Sequence, residues 1–315
     1  MSKHFIEPNE TALHGVFSRE MQPILTIDPG ETVRFKTLDA AWNLEPRAST
    51  KYIDFPKQFD HPDREKGHAL CGPVFIRGAK PGMTLAVEIG EIVAGGWGFT
   101  AVGGWPHIVN DRLGFSDKAG TFLLWTHDIE RGLATNQHGQ SVELRPFMGV
   151  MGMPQDVAGE QSTIPPRITG GNIDCKELVA GSTLYLPIEV EGGLFSTGDG
   201  HGRQGDGESS VTAIECPIER VDLTFNLEPD MPLKTPLANT PAGWITFGFD
   251  ESLDEAVLIA LEAMVDFMHG HFGVDRHHAL GLISVTVDLR ITQIVNQVKG
   301  VHAVLSHEVI AELGL

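Results

Sequence analysis

Short runs of alternating apolar and polar residues, each closed by glycine or proline, recur along most of this chain and leave little room for long helices. ETVRFKTLD (31–39), GPVFIRG (72–78), MTLAVEIGEIV (83–93), STLYLPIEV (182–190) and VDLTFNL (221–227) are examples. A period of two puts successive side chains on opposite faces of a sheet, so these runs predict antiparallel strands with one buried and one wet face. Glycine and proline, 36 and 19 of 315 residues, supply the turns between them.

The pattern changes near residue 250. Ser252 and Glu255 fit a capping box, and Val257, Leu261, Met264 and Met268 then trace one apolar face toward Gly270, which predicts a helix over about 252–269. Asp275 can cap a shorter helix through Leu282, after which TVDLRITQIV (286–295) returns to strand alternation. The expectation is a β-rich body over 1–227 and an α+β C-terminal subdomain over 228–315. Residues 95–112, with two tryptophans among glycines, read as a long loop whose indoles plug the core edge or wall a pocket. HGHF (269–272) and HH (277–278) read as solvated histidines near helix ends, not as a site.

Charge narrows the function classes. The chain has 23 basic against 42 acidic residues, a net charge of −19, and no run of Lys and Arg, so nucleic acid is not an expected partner. No stretch reaches the roughly 18 uninterrupted apolar residues of a membrane span, and MSKHFIEPNETALHG lacks the apolar segment of a secretory signal. The expected address is therefore the cytoplasm. Cys71, Cys175 and Cys216 are far apart and form no CxxC pair, so they read as buried thiols.

Chemistry concentrates in GDGHGRQGDGE, residues 198–208. Its glycines satisfy GxGxxG, but an acidic, strand-like sequence follows where a dinucleotide fingerprint needs a helix; P-loop and EF-hand spacings also fail. The stretch reads as a rigid loop between two strands, its glycines turning through positive φ and leaving space for ligands to converge. Close carboxylates stay ionised only with a cation or several donors among them, so a divalent ion is the economical answer; the plain alternative is solvated turn residues. TGGNIDC (169–175) is a second acidic element.

TGGNID followed by GSTLYLPIEVEGGLFSTGDGHGRQGDGE resembles the core of the acetamidase/formamidase family, with its GGNxD element and QGDGE loop. The likeness extends through HGVFSREMQPILTIDPGETVRFKTLDA (14–40), CGPVFIRGAKPGMTLAVEI (71–89), RPFMGVMGMP (145–154) and ITQIVNQVKGVHAVL. Three positions depart from it: Cys71 replaces a usual threonine, Met83 an aspartate, and Thr169 a histidine before GGNxD. The resemblance implies a jelly-roll-like β-sandwich body with a smaller β subdomain and the α+β part. It further implies a cytoplasmic homodimer or higher homo-oligomer that hydrolyses short amides and is associated with divalent metal, zinc or calcium.

On that basis His201, Asp174 and Asp39 are the expected leading metal ligands, with Asp199 a further ligand or an orienter. Asp39 enters only because the resemblance brings the TLD strand end near the site. Glu208 is the expected general base and Asp206 its alternate, while Asn172 and Gln204 would orient substrate or water. Two other readings stand beside this one: a non-catalytic metal- or carbohydrate-binding β-sandwich, and a thiol-dependent amidase using Cys175.

Overall fold

The computed structural model describes residues 3–315; Met1 and Ser2, the head of the stretch read for a secretory signal, lie outside the described residues. Two large sheets face each other. One has nine strands in the order Lys3–Ile6, Glu31–Thr37, Ile218–Glu228, Thr84–Ala94, Thr183–Pro187, Leu237–Thr240, Gly243–Asp250, Lys299–Leu305 and Val287–Gln293. The other has seven strands, with Gly170–Asn172, Phe147–Gly152, Phe195–His201 and Leu70–Ile76 as consecutive neighbours. Four of the alternating runs are strands of the first sheet, and the fifth, GPVFIRG, is the strand Leu70–Ile76 of the second.

That core is one apolar cluster drawn from both layers. Val33, Phe35, Leu85, Val87 and Phe225 come from the nine-stranded sheet and meet Val74, Ile76, Met148, Met151 and Phe195 of the other. Burial of each such side chain contributes roughly 1.5–3 kcal/mol, which makes the facing sheets the main source of stability. The protein is a β-rich sandwich.

The helix Leu253–Phe272 starts at Ser252, whose side chain accepts the Glu255 N–H, and ends at Gly273 in the left-handed conformation. Asp250, rather than Glu255, accepts the Ser252 N–H at 2.7 Å. Ala256, Ala260, Met264 and Met268 turn inward and pack with Val301, Ala303 and Leu305 of the sheet. Asp275 caps the second helix, Arg276–Thr286. The four strands after residue 228 form one end of the nine-stranded sheet, joined to the rest where Leu184 faces Ala238.

Two expectations change. Residues 95–112 are not one long loop: Trp97–Val102 is a strand paired with Thr121–Asp128, and Ile108–Leu113 is a short helix. Both indoles pack against a small cluster of Phe99, Ala101 and Phe122. The segment 198–208 is not all loop either, because Phe195–His201 is a wholly buried strand. Gly198 and Gly200 are needed there for close approach, not for positive φ: a Cβ on Gly200 would lie 2.7 Å from the Cys216 carbonyl oxygen.

Among the described residues no single helix is long and apolar enough to cross a membrane.

A buried carboxylate and imidazole cluster as candidate active site

The end of Phe195–His201 carries the site. His201 is buried edge-on against the Phe147 ring, centroids 5.0 Å apart. Its Nε2 lies 3.3 Å from Asp199 Oδ1 and 3.4 Å from Glu215 Oε1, and its Nδ1 lies 3.9 Å from Asp174 Oδ1. Asp174 follows the neighbouring strand Gly170–Asn172, and Glu208 comes from the loop after His201. Ligand atoms of Asp174, His201 and Glu208 lie within 4.8 Å of one another, as do those of Asp199, His201 and Glu215.

Gly149, on the adjacent strand, makes this convergence possible. A Cβ there would stand 2.5 Å from Asp199 Oδ2 and 2.6 Å from Asp174 Oδ1. Other groups then aim the carboxylates. Asn296 Nδ2 donates to Asp174 Oδ2 at 2.6 Å, Gln204 Nε2 donates to the Asp174 carbonyl at 2.8 Å, and the Ala213 N–H donates to Glu215 Oε1 at 2.8 Å.

What remains is a set of buried atoms without hydrogen bonds: Asp174 Oδ1, both nitrogens of His201, Glu208 Oε2 and Glu215 Oε2. An unmade bond at a buried polar atom costs about 1–3 kcal/mol, so several around one point need a common partner. The electrostatics agree. Burial pushes Asp174 up to about 8, against the pull of His201 and with the repulsion of Asp199 and Glu215. Burial also raises Glu208 and Glu215, the charge of Asp174 adding to the first. For Asp199 burial works upward too, but the positive charge of His201 leads the effects that outweigh it and hold the group below the carboxylate range. Burial lowers His201, while Glu215 and Asp199 raise it by more. A carboxylate-rich pocket of this kind demands positive charge, and the oxygen and imidazole donors fit a divalent cation.

The cluster opens on a cavity of about 190 Å³ whose walls include Ala40, Ala41, Phe99, Val211, Asn172 and His68. Glu208 also faces a second opening of about 250 Å³, with Gln204 and Asp206 on its rim. A larger groove of about 510 Å³ lies between residues 230–237 and the helix Leu253–Phe272, and none of the cluster residues lines it.

The expected site residues are therefore placed as follows. Asp174, Asp199, His201 and Glu208 meet. Asp39 is buried beside them and feels Glu215, but Asn43 donates to both of its oxygens, at 2.9 and 2.7 Å; burial pushes it up to about 7. Asp206 turns to Lys176, 2.8 Å away. Asn172 donates Nδ2 to the Ile164 carbonyl and leaves Oδ1 buried without a partner. Gln204 braces the Asp174 backbone. Thr169, at the position where the family commonly has histidine, is buried with its hydroxyl on the Met153 carbonyl. Cys175 is buried and hydrogen-bonded to Glu177, and burial raises its thiol well above the ordinary value, which disfavours the reactive thiolate.

Glu215, Asn296 and His68 were missed by sequence reasoning. Glu215 sits in SSVTAIEC, which reads as a strand but folds as irregular backbone, with Glu215 itself bridged to Phe99 and His201. For Asn296 and His68 no local signal exists.

Comparison with known proteins gives a consistent set of relatives. The sequence profile of the Acetamidase/Formamidase family matches residues 2–157 and 155–308. A candidate formamidase of Schizosaccharomyces pombe is 27% identical over 79% of this chain and 74% of its own. The crystal structure of an acetamidase from Bacillus halodurans superposes with a TM-score of 0.85 at 27% identity, covering 99% of this chain and 100% of that one. A Thermoanaerobacter tengcongensis structure described as a predicted acetamidase/formamidase gives 0.83 at 25%, over 99% and 98%.

Proposed function

The chain belongs to the acetamidase/formamidase family and is a hydrolase of linear amides, and we propose that its substrate is a short aliphatic amide of the formamide or acetamide class. The observation that carries this reading is a small cavity walled by Glu208 and Glu215, two of the four residues whose five buried ligand atoms lack hydrogen bonds. A space of about 190 Å³ is below the usual range of drug-sized pockets, about 300–1,000 Å³, and its walls at Ala40, Ala41, Phe99 and Val211 leave room for a short acyl group.

His201, Asp174 and Asp199 would hold a divalent ion, zinc or calcium by donor type, with Glu215 beside them and Asp39 as an outer carboxylate. When bound, such an ion supplies the positive charge that polarises a carbonyl and acidifies water. The rest belongs to the chain. Asn172 Oδ1, its amide nitrogen already anchored, accepts a hydrogen from the substrate's NH2 group. Gln204 holds the Asp174 backbone and so aims its free Oδ1.

Glu208 acts as the base. It takes the proton of the attacking water as the water oxygen bonds to the carbonyl carbon, then returns it to nitrogen as the C–N bond breaks, leaving ammonia and the carboxylic acid, whose remaining proton passes to ammonia or water. Asp206, paired with Lys176 on the rim, is the alternate. Burial and the Asp174 charge raise the proton affinity of Glu208, which suits a group that must carry that proton between the two steps.

The test is ammonia release from formamide and acetamide. Activity should disappear with chelator and return on adding back the ion. The E208Q variant should keep fold and metal content while losing about 10²–10⁴-fold in rate. Full activity in E208Q removes the proposed base, and chelator-insensitive ammonia removes the ion. The further reading is a cytoplasmic homo-oligomer.

A further inference from the structure

An amide has acceptor character at oxygen and donor character at nitrogen, and a binding cavity must answer both. Carboxylates from Asp199, Glu208 and Glu215 dominate this one, and they answer only the nitrogen end. Among the described residues, the cavity's other side-chain donors are engaged: Asn172 Nδ2 with the Ile164 carbonyl, Asn296 Nδ2 with Asp174, and Thr212 with the Ala101 carbonyl. His68 is different. Thr163 Oγ1 accepts its backbone N–H at 3.0 Å and lies 2.8 Å from its Nδ1.

That double contact selects a tautomer. The buried Thr163 hydroxyl accepts the His68 N–H, and among the described residues His68 Nδ1 is the one hydrogen-bond partner left to take its own hydrogen, which would otherwise be buried unpaired. Nδ1 is then an acceptor, and a neutral ring carries its hydrogen on Nε2, the nitrogen left for the cavity.

We propose that His68 presents Nε2–H as the hydrogen-bond donor to the carbonyl oxygen of the amide substrate, with Thr163 as the positioning residue that fixes its tautomer. Building on the amide-hydrolase reading, this gives the cavity one donor against several acceptors. That asymmetry turns the amide so that its nitrogen faces Asn172 Oδ1 and Glu208. As the carbonyl oxygen gains negative charge during attack, the same hydrogen bond strengthens, so the residue contributes more to kcat than to KM.

Two measurements test it. H68A should lose about 10²–10³-fold in kcat, as loss of one such donor does elsewhere, with metal content and melting temperature unchanged; H68Q, which keeps an N–H donor, should recover part of the loss. T163V should lose less, again in kcat. An H68A enzyme within about threefold of the parent, by the same comparison, overturns the proposal. The second measurement needs no turnover: nitrogen NMR of histidine-labelled E208Q protein, with His68 assigned by its disappearance in a second substitution, H68Q. The expected spectrum has hydrogen on Nε2 and a shift of that resonance on titrating acetamide. Hydrogen on Nδ1, or no shift at high acetamide, overturns the proposal whether or not the parent releases ammonia. A parent inactive on every short amide, with the His68 shift present, would instead overturn only the reading of function.

Discussion

Asp174, Asp199 and Glu208 occupy backbone that residues with side chains avoid, at φ of 53°, 56° and 47°. Each such residue costs about 1–3 kcal/mol and persists where surrounding packing leaves no alternative. Among the described residues seven non-glycine positions have positive φ, and three of them are the ones whose carboxylates meet, so part of the strain goes with aiming them. The neighbouring strand cooperates by having no side chain at Gly149. Substituting alanine there drives a methyl group into Asp199 and Asp174 together. We expect G149A to lose most of its bound ion and about 10²-fold or more in activity, the scale on which misplacing reacting groups acts, while remaining folded. Metal analysis beside ammonia release checks this; an active, fully loaded G149A would mean the two carboxylates are not held as described.

At the scale of elements, the strands of the nine-stranded sheet are tied across their wet face as well as their buried one. Arg34 and Asp222 stand opposite each other in register, with Arg34 donating Nε and an Nη to the carboxylate at 2.6 and 2.9 Å; Arg220 adds a third bond at 2.7 Å. The Arg34 bonds, against burial and with help from Arg220, hold Asp222 well below the usual carboxylate range. Its folded value lies below the unfolded one of about 3.9, so the stabilisation is complete above about pH 4 and is lost as pH falls through the folded value. D222N should therefore destabilise by about 1–2 kcal/mol at pH 7, a discounted figure because both arginines stay partly in water, and the gap should shrink below about pH 4. Urea unfolding of both proteins at pH 7 and pH 3 measures it; a gap that does not change with pH would exclude the ion pair as its source.

Elements like these were legible because their signal is local. ETVRFKTLD and VDLTFNL alternate over their own lengths, and Ser252 caps a helix three residues away. Trp97–Val102 was hidden because GGWGFTAV carries two glycines before it and one within it, the marks of a loop. In GDGH the glycines suggested turning, whereas the strand needs Gly198 to pass close to the Ala69 carbonyl and Gly200 to that of Cys216. No property of the segment itself records how near another backbone will come.

The whole molecule adds what no segment contains: the chain's last strands complete a site built from its middle. The strands Val287–Gln293 and Lys299–Leu305 lie at one end of the nine-stranded sheet, and the turn between them reaches the cluster of the seven-stranded sheet. Gln293 Oε1 accepts the N–H groups of Val295 and Asn296 and shapes that turn, the Gly207 N–H donates to the Thr292 carbonyl, and the Ile294 N–H donates to that of Gly207. Asn296 can then reach Asp174, 122 positions earlier, at 2.6 Å. Sequence motifs therefore pointed to Asp174, His201 and Glu208, but not to the clasp behind them, because a contact of that separation leaves no periodicity. Removing it should loosen Asp174 without unmaking the fold. N296A is expected to weaken ion binding and activity by about 10–100-fold, the usual scale for a group that orients a ligand, with a stability loss of no more than about 1.5 kcal/mol. Competitive titration against a chelator, read beside thermal melting, separates the two effects. Unchanged ion affinity with lowered stability would reduce the clasp to an ordinary packing contact and detach the C-terminal strands from the chemistry.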